Sequence, residues 1–246
     1  MNDNIKRIWG YWINDKDQTS SGNPDFLYVD RLEKLHKNWK ITIINKIHEK
    51  DGRVTEDSLY YYLKDDEDGK FIKKLLSNKI ISSAHKSDVV RFYLLKTYGG
   101  FWIDLSTFFI KSLDEEYDIY CKEKIDFACY YAPTENVISW IYRPFVHLYD
   151  SVSAEKMRDR IYSKKYLQLK KPDFDFIPEN YYLFSKKDCK ITSNVYFHLR
   201  SFWEGILDKI RDRNHMCFYL NAYMSHLCFL IFDINGLVDL DNLRNM

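Results

Sequence analysis

Residues 84–114, AHKSDVVRFYLLKTYGGFWIDLSTFFIKSLD, join a helix-patterned run to two adjacent glycines and then to a short apolar strand closed by Asp104. The chain has only 8 glycines in 246 residues, so a pair at one point marks a backbone path that other residues resist. A helix is predicted from about Ser83 to Tyr98, with Ser82 or Ser83 capping its first amides and Gly99 as the left-handed residue that ends it. Ala84, Asp88, Arg91, Leu95 and Tyr98 recur at spacings of three or four and share one face. Val89, Val90, Phe92 and Leu94 make much of the remainder apolar, so Asp88 and Arg91 are expected to be partly buried and paired. Taken alone, that pair reads as an ordinary intrahelical ion pair. The strand FWID changes the reading, because it sets Asp104 at a strand's carboxyl end, where open α/β sheets bind ligands. A carboxylate there can hold a sugar hydroxyl or a divalent cation that neutralises phosphates.

The rest of the chain supports an α/β class. Residues 5–13, IKRIWGYWI, read as a first strand, and 15–25 carry the Ser, Gly, Asn, Pro and Asp of a loop. Phe26, Val29, Leu32 and Leu35 then recur at helical intervals, and WKITIIN at 39–45 reads as a second strand. Strand, helix, strand is the opening of an α/β domain. Residues 50–70 are polar and acidic, read as surface loop with a short helical piece, and FIKKLLSN at 71–78 as a short helix. Beyond residue 115 the pattern weakens: IDFACYY and ENYYLFS read as strands and the run around SFWEGILDKI as a helix. No boundary stands out, so one domain over 1–246 is expected, with no solenoid repeat.

Composition narrows the function. The 37 basic and 36 acidic residues leave a net charge of +1 with no basic stripe, which argues against nucleic acid as a partner. Five cysteines without CxxC spacing (Cys121, Cys129, Cys189, Cys217, Cys228) argue against a disulfide framework or a structural zinc, and point to a reducing compartment. The first residues hold no apolar core of signal-peptide length, so a cytoplasmic location is expected. The apolar run 217–234 carries Asn221, His226 and Asp233 and reads as a buried helix, not a transmembrane segment, with peripheral membrane contact left open.

The pattern A-x-x-S-D-x-x-R, an apolar stretch, then Y-G-G-x-W-x-D resembles the nucleotide-sugar motif of the DXD-containing glycosyltransferases. The likeness is to the capsular polysaccharide synthesis group and its relatives in the glycosyltransferase 32 class, and the glucosylating bacterial toxins share a version. Ala84, Ser87, Asp88, Arg91, Tyr98, Gly99, Gly100, Trp102 and Asp104 match. The match is specific over 80–114, weaker over 5–45 and faint beyond 115. The resemblance implies a GT-A type fold: one Rossmann-like domain, with 1–114 binding the nucleotide sugar and a more helical acceptor-side half at 115–246. It implies transfer of a sugar, with retention of configuration, from a UDP- or GDP-sugar donor to a glycan, polysaccharide or other hydroxyl acceptor.

Carried over by position, Asp88 and Arg91 line the donor pocket, Gly99 and Gly100 belong to it, and Trp102 lies beside the nucleotide. Trp12 falls where relatives stack an aromatic on the base, with Trp9 competing for that role. Asp104 becomes the first aspartate of DXD and, with Arg91, the catalytic candidate. The motif here reads Asp104-Leu105-Ser106, a hydroxyl in place of the second carboxylate. Asp104 and Ser106 are thus expected to bind Mn²⁺ or Mg²⁺ weakly, with His215 or His226 as possible further ligands and Lys86, Arg91 and Lys111 as the nearest cations in sequence. The rival is a non-catalytic nucleotide-sugar- or glycan-binding protein with a degenerate metal site. No pair of carboxylates identifies itself as a glycosidase apparatus.

Overall fold

The computed structural model describes residues 6–13, 26–105, 107–133 and 176–208. Its centre is a five-stranded sheet in the order β2-β1-β3-β5-β4, formed by β1 (Arg7–Tyr11), β2 (Lys40–Ile44), β3 (Gly100–Ile103), β4 (Phe127–Pro133) and β5 (Phe176–Ser185). β1 pairs parallel with both β2 and β3, with Trp9 opposite Thr42 on one side and Trp102 on the other. β3 pairs antiparallel with β5, Phe101 opposite Phe184. The strand–helix–strand opening is present, with α1 (Phe26–Leu35) between β1 and β2. The first strand is shorter than its apolar run.

Side-chain alternation divides the sheet into two faces. Ile8, Phe101, Ile103, Tyr182 and Phe184 join Leu32 of α1, Trp39 and Leu113 in one buried cluster, with Tyr117 and Tyr120 of α5 (Asp114–Lys122) packed against it. On the other face, Trp9 meets Tyr62 of α2 (Leu59–Tyr62) edge-on and Tyr98 at an angle, while the Arg91 guanidinium lies over the Trp102 ring. Two covered faces explain why these strands read as nearly unbroken apolar runs.

α3 (Glu67–Ser77) and α4 (Ser83–Tyr98) follow, then α6 (Lys190–Ile206) after β5. α3 extends into the acidic stretch because Asp66 caps it, its carboxylate accepting from the Gly69 amide. α4 occupies its predicted span, but its cap differs from expectation. Ser82 holds the capping position without a side-chain capping bond, and its hydroxyl meets His85 Nδ1 at 2.6 Å instead. The Ser83 hydroxyl donates to the Ile13 carbonyl at 3.1 Å, tying the start of α4 to the chain leaving β1. α5 had no counterpart in the sequence reading; it buries no residue fully, which is why its pattern was faint.

The chain divides into two compact units, residues 1–129 with 181–230, and 130–180 with 231–246. The described part of the second comprises the end of β4 and the first half of β5. The helix expected over 217–234 lies outside the described residues. Among those described, no helix is long and apolar enough to cross a membrane.

Candidate functional site

The order β2-β1-β3 places a switch point between β1 and β3: the chain leaves β1 toward one side and returns to β3 on the other. Such connections part at the carboxyl ends of the strands and leave a crevice there. Trp12 and Ile13 follow β1 at this edge and Asp104 follows β3. α4 begins at the same edge, through Ser83 and Ile13, and runs back to the amino end of β3.

Arg91 is the centre of the arrangement. Its side chain is 4% exposed, and it reaches Asp104 Oδ1 with Nη2 at 3.0 Å and Asp88 Oδ1 with Nη1 at 3.5 Å. The Trp102 indole N–H donates to the same Asp104 oxygen at 2.9 Å. Trp102 and Asp104 are two apart and so leave the strand on one face. Two donors converge on Oδ1 and fix the carboxylate, so a ligand approaching it meets Oδ2. The intrahelical pair that the spacing suggested is therefore the weaker half of a three-residue cluster. Its formal charges, two negative and one positive, sum to one negative, which favours sugar hydroxyls or a cation and opposes a bare diphosphate.

The structure separates the other candidates. Trp102 has no exposed surface, so it supports Asp104 from beneath and does not lie open beside a nucleotide. Trp9 is equally buried and donates from its indole to the Gly99 carbonyl at 2.9 Å, a core role that removes it as a stacking candidate. Trp12 is 47% exposed, while its backbone amide donates to the Ile44 carbonyl at 2.7 Å, which holds an open ring on a fixed backbone. Gly99 and Gly100 are not brought to Asp104. They stand at the opposite, amino end of β3, about 13 Å away by the strand rise. Both have positive φ, 67° and 103°, and a Cβ would lie 2.6 Å from the Lys187 amide nitrogen at Gly99 and 2.7 Å from the Arg7 carbonyl oxygen at Gly100. They are turn residues of the fold.

Of the cations near in sequence, Lys86 is buried and Lys111 is engaged by Glu115 and Glu116. Ser106, His215 and His226 lie outside the described residues. A metal was expected at Asp104 and Ser106. Asp104 offers Oδ2 at an exposed strand end, which suits one ligand to a hard cation, and Asp88 is the second carboxylate at this edge. Among the described residues no three His, Cys, Asp or Glu side chains gather as a metal cage. Two carboxylates at one edge could supply only part of the ligand set of a weakly held ion.

His85, in the first turn of α4, is desolvated by burial, which lowers its pKa to about 4. It is neutral at physiological pH and adds no charge to this edge. Nothing in the sequence pattern marked it; only the packing of Trp203 of α6 against its ring reveals the environment.

A stretch of 117 residues, 45% of this chain, is 24% identical to the O-glycosyltransferase braB of Annulohypoxylon truncatum, and it spans only 25% of that protein's length. The solved PaToxG glycosyltransferase superposes with a TM-score of 0.47 at 13% identity, over 95% of this chain and 79% of its own. The model of the family described as capsular polysaccharide synthesis protein matches residues 1–205, and the chain therefore belongs to that family.

Proposed function

We propose that the protein is a glycosyltransferase of GT-A type that takes a sugar from a UDP- or GDP-sugar and passes it to a hydroxyl of a glycan or polysaccharide acceptor, with retention of configuration. The observation that carries this reading is the cluster at the β1/β3 switch point: Asp104 held by Arg91 and Trp102, with Trp12 open on the same edge. Family membership and a relative named an O-glycosyltransferase support it.

In this reading Trp12 stacks on the base, since its ring is exposed while its backbone is fixed in the sheet. Asp88 accepts from hydroxyls of the ribose or the transferred sugar. Arg91 holds the geometry of both carboxylates. Asp104 presents Oδ2 to the donor, and with Ser106 it would hold a weakly bound Mn²⁺ or Mg²⁺. That ion, when bound, supplies Lewis-acid stabilisation of charge on the departing diphosphate. The protein's own part is to orient donor and acceptor on a rigid strand end, where small displacements cost much of the rate.

A second reading, a binding protein without turnover, is favoured by one observation: Arg91 already offsets the charge of Asp104, which weakens its hold on a cation. One experiment separates the two. Calorimetry against UDP, GDP and their sugars, with a mononucleotide control, tests the pocket, and release of nucleoside diphosphate over hours tests turnover. Binding with release supports the transferase, and binding without release at any cation concentration supports the second reading. No binding by folded protein removes the transferase and the nucleotide-sugar-binding protein together, and leaves a glycan-binding protein.

A further inference from the structure

We propose that His36 is a positioning residue that holds residues 107–113, the segment leaving Asp104, and that uptake of a proton by its ring releases that segment. The inference rests on the donor-site reading only for its consequence at Asp104.

The segment starts with the Thr107 amide donating to the Asp104 carbonyl at 2.8 Å and ends at Leu113, whose side chain is in the core. Its middle is pinned to α1, where Arg31 Nε donates to the Phe109 carbonyl at 2.8 Å and the guanidinium covers the Phe108 ring. Its far end is pinned to His36, the residue just after α1. His36 is 1% exposed, between the edges of the Trp39 and Phe109 rings. Its Nδ1 lies 2.8 Å from the Leu32 carbonyl and its Nε2 lies 3.1 Å from the Leu113 amide nitrogen.

These two partners fix the state of the ring. A carbonyl can only accept, so Nδ1 carries a hydrogen; a backbone amide can only donate, so Nε2 must be bare. His36 is the neutral Nδ1–H tautomer in this arrangement. A second proton must go to Nε2, where it would face the Leu113 N–H with two donors opposed and no acceptor between them. The ring cannot keep both bonds in that state, and the nearest relief is loss of the Leu113 contact.

The surroundings set the direction of the titration. From α5, Asp114 and Glu116 favour the charged ring, but Asp114 is already held by Lys6, Trp39 and Ser112. Burial outweighs the carboxylates and holds the His36 pKa below that of an ordinary histidine. The contact is therefore kept at neutral pH and strained under mild acid. The segment carries Phe108 and Ile110, 64% and 79% exposed, so what it presents beside the candidate site depends on being held in this pose.

The test is hydrogen exchange by mass spectrometry on the full chain from pH 7.5 to 5, each rate corrected for intrinsic exchange, with α3 as the internal reference. In the wild type, protection over 107–113 falls relative to α3, by up to about tenfold for each pH unit. In His36→Gln, whose amide offers an acceptor to Leu113 and a donor to Leu32 but takes up no proton, protection over 107–113 stays level relative to α3. If the variant fails to fold, the imidazole titration of wild-type His36 followed by NMR takes its place: the loss of protection shares its midpoint, and a different midpoint overturns the proposal. Equal protection of 107–113 and α3 at every pH in the wild type, or the same pH response in His36→Gln, overturns the proposal. UDP and GDP titrated at both ends of the range separate the two claims. Absence of binding at every pH counts against the donor site, whereas binding that ignores a real loss of protection refutes the positioning role.

Discussion

At the scale of single residues, Asp104 serves both the fold and the crevice, and its variants separate the two roles. Asp104→Ala removes the nearer of the two carboxylates on a guanidinium that is 4% exposed. Breaking a fully buried pair costs about 3–5 kcal/mol. Asp104 is 36% exposed, so solvent screening reduces the expected loss to about 1–3 kcal/mol, above the range of a surface pair. Asp104→Asn keeps an acceptor for Arg91 and Trp102 and is expected to lose less stability in denaturant melts. Both variants are expected to lose nucleoside diphosphate release, since neither presents a charged Oδ2. If Asp104→Asn releases diphosphate at the wild-type rate, the carboxylate has no part in the chemistry. Trp12→Ala tests the other side of the crevice. Its ring is open, so the melting temperature should barely move, while a lost base stack weakens nucleotide binding by about 1–3 kcal/mol in calorimetry.

At the scale of elements, the junction between α4 and β3 decides whether the cluster forms. α4 and β3 run side by side in opposite senses, so the turn between them sets the height at which Arg91 meets Asp104. Gly100→Ala puts a Cβ 2.7 Å from the Arg7 carbonyl oxygen at a φ of 103°. Backbone strain of this kind costs about 1–3 kcal/mol, and the packing clash adds to it. The loss should appear as a lower denaturant midpoint. Nucleotide affinity of the folded fraction should stay at the wild-type value, because the glycine is at the far end of the strand. A direct loss of affinity with unchanged stability would return Gly100 to the donor pocket.

At the scale of the whole molecule, two desolvated histidines make the fold sensitive to acid. His85 has a folded pKa of about 4 against an ordinary value of 6.5. Between these values the unfolded chain binds the proton and the folded one does not, so stability rises with pH across that window. The contribution is present in full above pH 6.5 and is lost as the pH falls toward 4. A shift of that size corresponds to about 3 kcal/mol. His36, shifted the same way by burial, adds to the same slope. Thermal melts from pH 7.5 to 4 should show a falling melting temperature, with a shallower fall in His85→Gln. An identical slope in that variant would locate the acid sensitivity elsewhere.

Local pattern determined much of this protein. The 3.6-residue spacing from Ala84 to Tyr98, the double glycine and the apolar FWID gave the span of α4, the turn and the start of β3, because each depends on neighbours within one or two turns of chain. The Y-G-G-x-W-x-D run carried the family in the same way. Tertiary structure decided what no local spacing contains. It split two tryptophans three residues apart, Trp9 into the core and Trp12 toward solvent, because strand pairing and α2 cover one and leave the other. It sent Gly99 and Gly100 to the far end of the strand from Asp104. It also placed Trp102 beneath the carboxylate and joined His36 to Leu113 across 77 residues. α5 was illegible for the same reason: its stripe is only half-covered, and the cluster it completes is built from strands distant in sequence. A one-dimensional pattern records which residues can be buried together, and the sheet order fixes which of them meet.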